Sequence, residues 1–134
     1  MLKKLIRNEK GLTLIELLAV IVILGIIAAI AIPSIGGLIE NSRKDAHIAN
    51  AQQMVNAARL AYTADNTVTE YTLQYLEEKK YLEPVKKPGE GSYNKQESKV
   101  VLGEDGKWIV ILKSGDTIHI NGDPGTIKRD QVRL

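Results

Sequence analysis

From Leu17 to Ile32 every residue is apolar or glycine, and no other stretch restricts the chain's fold so strongly. Widening the window to Leu12 and Ile39 adds only Thr13, Glu16, Pro33, Ser34, Gly36 and Gly37 as non-aliphatic positions. About 20 apolar residues of helix cross a bilayer core, so the stretch is long enough to span one. Lys3, Lys4, Arg7 and Lys10 precede it, with Glu9 as their only acidic neighbour, while Glu40, Arg43, Lys44 and Asp45 behind it cancel. The positive-inside rule therefore predicts a cytoplasmic N-terminus and an external C-terminal part. The basic N-terminal segment also accounts for the sequence pI near 8.8, since the rest of the chain is close to neutral.

Two features set this segment apart from a plain anchor. Glu16 lies within its apolar end, where a carboxylate costs on the order of 2.5–3.5 kcal/mol at mid-membrane and less near the surface. No basic residue lies inside the segment to pair with it. On residue chemistry alone, a carboxylate snorkelling to the headgroups from a first helical turn is the better explanation. Pro33 is the second feature, because it removes the amide that would bond to the Ala29 carbonyl. Gly25, two turns earlier, weakens the helix further.

The run Lys10-Gly11-Leu12-Thr13-Leu14-Ile15-Glu16-Leu17-Leu18 resembles the class III signal sequence of type IV pilins and pseudopilins. In that family a prepilin peptidase cuts after the leader glycine and the new N-terminal residue is N-methylated. The resemblance implies a leader at residues 1–11, cleavage between Gly11 and Leu12, and methylation of Leu12. Glu16, Gly25 and Pro33 then fall at the family's fifth, fourteenth and twenty-second mature positions. Leu12 departs from the more usual phenylalanine or methionine. The resemblance covers roughly the first forty residues.

It further implies an α+β pilin fold, with residues 12–39 as transmembrane and filament-core helix and residues 40–134 as an external head. The implied function is a structural filament subunit, not an enzyme. Its implied partners are further copies and other pilins, a peptidase that also methylates, and an assembly ATPase with its membrane platform. Before assembly the subunit sits in the cytoplasmic membrane; afterwards it is part of a surface filament. The resemblance leaves motility, adhesion, DNA uptake and secretion as alternatives. Two rivals stand beside this reading. One is a single-pass anchor displaying a binding domain. The other is a secretory signal peptide cut after Ala29-Ile30-Ala31, although Glu16 interrupts its apolar core and the stretch overshoots the usual 7–15 residues.

Beyond the apolar segment, Ile48, Ala51, Val55, Ala58 and Tyr62 recur at steps of three and four, predicting one buried helical face. The long helix is expected over about Thr13–Ala64, on the order of 75 Å. Residues 72–82 read as a short helix with Thr72 as N-cap and Leu73, Leu76 and Tyr81 inward, stopped by Pro84 and Pro88. Lys86 to Gln96 reads as a polar loop. Lys99–Leu102, Lys107–Leu112 and Thr117–Ile120 are strand candidates joined at Glu104-Asp105-Gly106 and Ser114-Gly115-Asp116, in an antiparallel sheet of three or four strands. Trp108, Val110 and Leu112 share one face of the middle strand. Ile109 and Ile111 share the other, expected either under the 85–97 loop or against a neighbouring subunit.

Catalytic signatures are missing: no G-x-S-x-G, phosphate loop, H-E-x-x-H or cysteine nucleophile occurs. No cofactor or metal site is therefore assigned. Asn121-Gly122-Asp123-Pro124-Gly125 is oxygen-rich, but calcium wants six to eight oxygen ligands, and it reads as a turn. His47 and His119, the two imidazoles, have no flanking carboxylates at metal-ligand spacing, and His119 is expected at the surface or rim of its strand. Lys79, Lys80, Lys86, Lys87, Lys128, Arg129 and Arg133 are a candidate DNA-attracting surface, diluted by Glu77, Glu78, Glu83 and Glu90.

Overall fold

The computed structural model describes residues 2–134, with side chains described at position 11 and from position 13 onward. Helix α1 runs Leu2–Ala64 and is unbroken at Pro33. It begins eleven residues before the expected start, because a lone Gly11 costs only about 1 kcal/mol against alanine and nothing else in the leader breaks a helix. The far end matches expectation: Asp65 N–H still bonds to the Ala61 carbonyl, and the Asp65 carboxylate then accepts from the Thr67 amide and hydroxyl. The chain divides into two compact units, Met1–Ile39 and Glu40–Leu134.

The second unit is α+β. Strand β1 (Glu70–Thr72), helix α2 (Leu73–Glu78), strands β2 (Lys99–Leu102), β3 (Trp108–Ser114) and β4 (Thr117–Gly122), and a 3-10 turn at Arg129–Gln131 follow α1. The four strands form one antiparallel sheet in the order β1-β2-β3-β4. Its inner face carries Tyr71, Val100, Trp108, Val110, Leu112 and Ile120, which form one core with Ala51, Met54, Val55, Ala57, Ala58 and Ala61 of α1. The helical stripe is wider than the expected one, since Met54, Ala57 and Ala61 join it. Tyr62 meets Trp108 edge-to-face, with ring centroids 5.8 Å apart.

Strand β1 has no counterpart among the sequence candidates. It is three residues long and runs directly into α2, too short for any alternation to show. The turn at 115–116 is as expected: Ser114 pairs with Thr117 around a two-residue loop whose Gly115 has φ +55°. Strands β3 and β4 extend past their expected ends into polar residues, because ladder hydrogen bonds are made by backbone whatever the side chain.

Helix α2 begins as the sequence predicts, with Thr72 Oγ accepting from the Tyr75 amide, and buries Leu73 and Leu76. It ends at Glu78, well before Pro84. Lys80 takes φ +60°, its N–H bonds to the Glu77 carbonyl, and Tyr81 N–H reaches back to the Leu76 carbonyl. This is a Schellman stop with lysine where glycine is usual. A side chain in the left-handed region costs roughly 1–2 kcal/mol. Lys80→Gly is expected to stabilise the head by about 1 kcal/mol, or a rise of about 4–8 °C in Tm. Lys80→Ala, measured in the same thermal melt, should give no such rise.

On the outer face of β3, Ile109 is 37 % exposed and Ile111 half-buried. The 85–97 loop bonds to α1 through Lys86 and the buried Tyr93, and to the end of β3 through Asn94.

Candidate processing and assembly segment

The α1 residues Leu14 to Ile39 form a helical surface with almost no intramolecular cover. Sixteen large aliphatic side chains from Leu14 to Ile39 are exposed, at 44 to 69 % of their full area. Burying one such side chain is worth about 1.5–3 kcal/mol, so in water this surface demands a lipid or protein environment. Length and apolar composition qualify this helix to cross a membrane.

Glu16 sits exposed among these aliphatic residues and makes no ion pair among the described residues. Leu12 precedes it by four positions, one helical turn; the Leu12 side chain lies outside the described residues. At Gly25 a methyl group would meet nothing within 4 Å. Packing inside the subunit therefore does not require glycine there. Pro33 leaves the Ala29 carbonyl without its helical donor, and at the next position Ser34 Oγ donates to the Ile30 carbonyl at 3.2 Å. The backbone stays helical at both Gly25 and Pro33.

Against this geometry, the match is informative: residues 6–32 fit the family model of the prokaryotic N-terminal methylation motif. The chain carries a type IV pilin signal. Gly11, Leu12, Glu16 and the apolar run from Leu17 to Ile32 all lie inside the matched residues, which marks the chain as a pilin-like prepilin-peptidase substrate whose N-terminal helix is long and apolar enough to cross a membrane. Comparison with curated proteins and with solved structures gives no match.

In the head of this pilin-like chain, the two histidines come together. His119, expected at a surface or rim, is instead buried, only 3 % exposed. The cause is a β-bulge: Leu112 pairs with Ile120 but Lys113 pairs with Ile118, so His119 is left over and turns inward beside Ile120. There it stacks on His47, ring centroids 4.2 Å apart and 15° from parallel. His119 Nδ1 lies 2.6 Å from the Arg133 carbonyl, and its Nε2 meets Ser114 Oγ. His47 Nδ1 lies 2.7 Å from the Tyr93 hydroxyl, which also accepts from Asn50. Burial holds His47 down to about 4, helped by His119 and Lys87. Burial likewise lowers His119 and pushes Tyr93 up to about 12. A sequence signal existed for His47: it lies four residues before Ala51, on the buried stripe of α1. None existed for His119, because a bulge leaves no mark in residue alternation.

The 121–125 segment behaves as a turn. The Asp123 carboxylate accepts from the Gly125 amide, and the Asp123 carbonyl accepts from the amides of Thr126 and Ile127. The candidate basic surface divides. Lys86, Lys87, Arg129 and Arg133 come from segments packed around residues 45–50 of α1, whereas Lys79 and Lys80 belong to the end of α2. Arg129 forms a bidentate pair with Asp45, both contacts at 2.7 Å, which lowers the Asp45 carboxyl.

Proposed function

We propose that this chain is a structural subunit of a type IV pilus or pseudopilus. The leader is cleaved between Gly11 and Leu12, Leu12 is methylated, and the mature subunit sits in the cytoplasmic membrane with its head outside. It then polymerises with residues 12–39 in the filament centre. One observation carries this reading: the methylation motif falls on a helix whose large aliphatic side chains, among the described residues, are left exposed.

Cleavage exposes an α-amino group. In a free peptide such a group titrates at about 7.7–8.0, so it is largely cationic at neutral pH, and monomethylation leaves it a basic amine. In a filament that cation from one subunit meets the Glu16 carboxylate of another. Such a buried pair fixes axial register more than it adds net stability. Gly25 and Pro33 supply the weakened stretch that yields when the helix leaves lipid for the fibre. The partners on this reading are a methylating prepilin peptidase, an assembly ATPase with its platform, and other pilins.

The N-terminal mass of protein purified from its native cells tests it. The expected result is a chain beginning at methylated Leu12; an intact leader, or a start at Ile32, overturns the reading. Shearing distinguishes the filament from a displayed binding domain: a pilus subunit is released from cells, an anchored domain stays with the membrane.

A further inference from the structure

The head residues that follow the apolar segment gather an uneven share of positive charge. Arg43 and Asp45 follow Ile39 by only four and six residues in the chain. A methyl group built on Gly89 would meet the Arg43 guanidinium carbon at 3.7 Å, so the 89–91 segment lies against that side chain. Asn50 donates to the Lys86 carbonyl at 3.0 Å, and Lys87 is near enough to His47 and His119 to lower both. Arg129 grips Asp45, while the Arg133 amide donates to the His119 carbonyl. Three separate segments, α1, residues 86–87 and residues 128–133, thus deliver Arg43, Lys86, Lys87, Lys128, Arg129 and Arg133 to the start of the head.

Charge pairing differs between the two regions of the head. With Lys44 included, this region holds seven basic side chains against Glu40, Asp45, Glu90 and Asp130, a net +3. The rest of residues 40–134 holds seven basic and ten acidic side chains, a net −3. Lys95, Lys99 and Lys113 there are tied to Glu77, Glu70 and Glu97. Around Arg43 only Arg129 has a carboxylate within salt-bridge distance among the described residues. Arg43, Lys86, Lys128 and Arg133 are exposed and lack one.

We infer that this basic collar docks on anionic phospholipid headgroups and seats the head against the bilayer while the subunit awaits assembly. The inference rests on the membrane anchoring proposed above and adds a lipid-binding surface to it. An acidic surface of a second copy has matching charge too. The lipid is favoured because Arg43 and Lys44 follow the apolar segment within five residues of Ile39 in the chain, so an anchored subunit meets headgroups before any second copy is needed. Clusters of Lys and Arg next to a span are attracted to anionic headgroups within a Debye length.

The test uses the full mature chain in nanodiscs, one copy per disc, with a fluorophore on Ser92→Cys. The chain has no native cysteine, and Ser92 is exposed beside the Gly89–Gly91 turn. Energy transfer to an acceptor on the lipid headgroups is compared between phosphatidylcholine discs and discs containing phosphatidylglycerol. The expected result is higher transfer in the anionic discs, lost at high salt. In Arg43→Gln/Lys86→Gln/Arg133→Gln the docked state should weaken on the order of a hundredfold, at about fivefold per cation. Lys99→Gln should keep the wild-type response. Circular dichroism of each variant establishes that it is folded. Equal transfer in both discs overturns the inference, as does a salt-insensitive rise or an unchanged triple variant. A rise seen only with two copies per disc overturns it in favour of a second copy. Failure of the chain to insert in either disc is a separate outcome and counts against the membrane anchoring itself.

Discussion

Glu16→Ala is expected to leave leader cleavage and Leu12 methylation intact and to abolish filaments. On the function proposed above, the peptidase acts at the Gly11–Leu12 bond, whereas the Glu16 carboxylate is needed only once a second subunit brings its α-amino group into the apolar core. Without Glu16 that cation is buried with no counter-charge. Breaking a buried pair by removing one partner costs roughly 3–5 kcal/mol. At about 1.4 kcal/mol per tenfold, this weakens each subunit contact about a hundred- to a few-thousandfold. The loss repeats at every subunit added, so sheared filament yield should fall to background while mature protein accumulates in the membrane. Glu16→Gln separates charge from shape: it keeps the side chain's size, loses the ion pair, and should fail as well. Normal sheared yield from Glu16→Ala, with the mature N-terminus confirmed by mass, would remove Glu16 from assembly.

How far the sequence reveals the molecule depends on the scale of the signal. The apolar run and the Gly11 junction are contiguous in the chain, and both the long helix and the methylation motif are legible there. The core stripe of α1 and the three longer strands are periodic over enough residues to be read directly. Features set by a single residue's backbone are not. Lys80 ends α2 in a conformation that composition assigns to glycine, and the prolines that composition reads as stops are bystanders. One extra residue in β4 reverses the side of the sheet on which His119 lies. Strand β1 exists because β2 offers it an edge, a tertiary cause with no local trace. The same limit applies to the collar: Arg43, Lys86, Arg129 and Arg133 are scattered through the sequence, and only the fold makes them neighbours.

The buried imidazole stack predicts that acid destabilises the head well above the range in which carboxylates titrate. His47 faces His119, the Tyr93 hydroxyl and Lys87, and the Arg133 carbonyl lies on the far ring. None of these supplies a counter-charge for an imidazolium. The folded state therefore protonates His47 only near 4, whereas the unfolded chain does so at 6.5. Between these values the unfolded state binds more protons, so stability rises with pH and falls as the solution is acidified. His47, 1 % exposed, should alone remove about 3 kcal/mol by pH 4, at about 1.36 kcal/mol for each pH step between its folded and unfolded titration points. His119 is displaced in the same direction and adds to the loss. Asp45 and Asp65 act separately: their carboxyls are held below 3.8 in the fold, so their contribution is lost only below about that pH. Thermal melts between pH 7 and pH 4 should show a steep fall in Tm for the native chain. His47→Gln, which keeps a hydrogen-bonding partner for Tyr93, should start lower and show a markedly flatter slope. Equal slopes for the two would mean that both rings admit protons and water freely, and the stack would then be no barrier to charge.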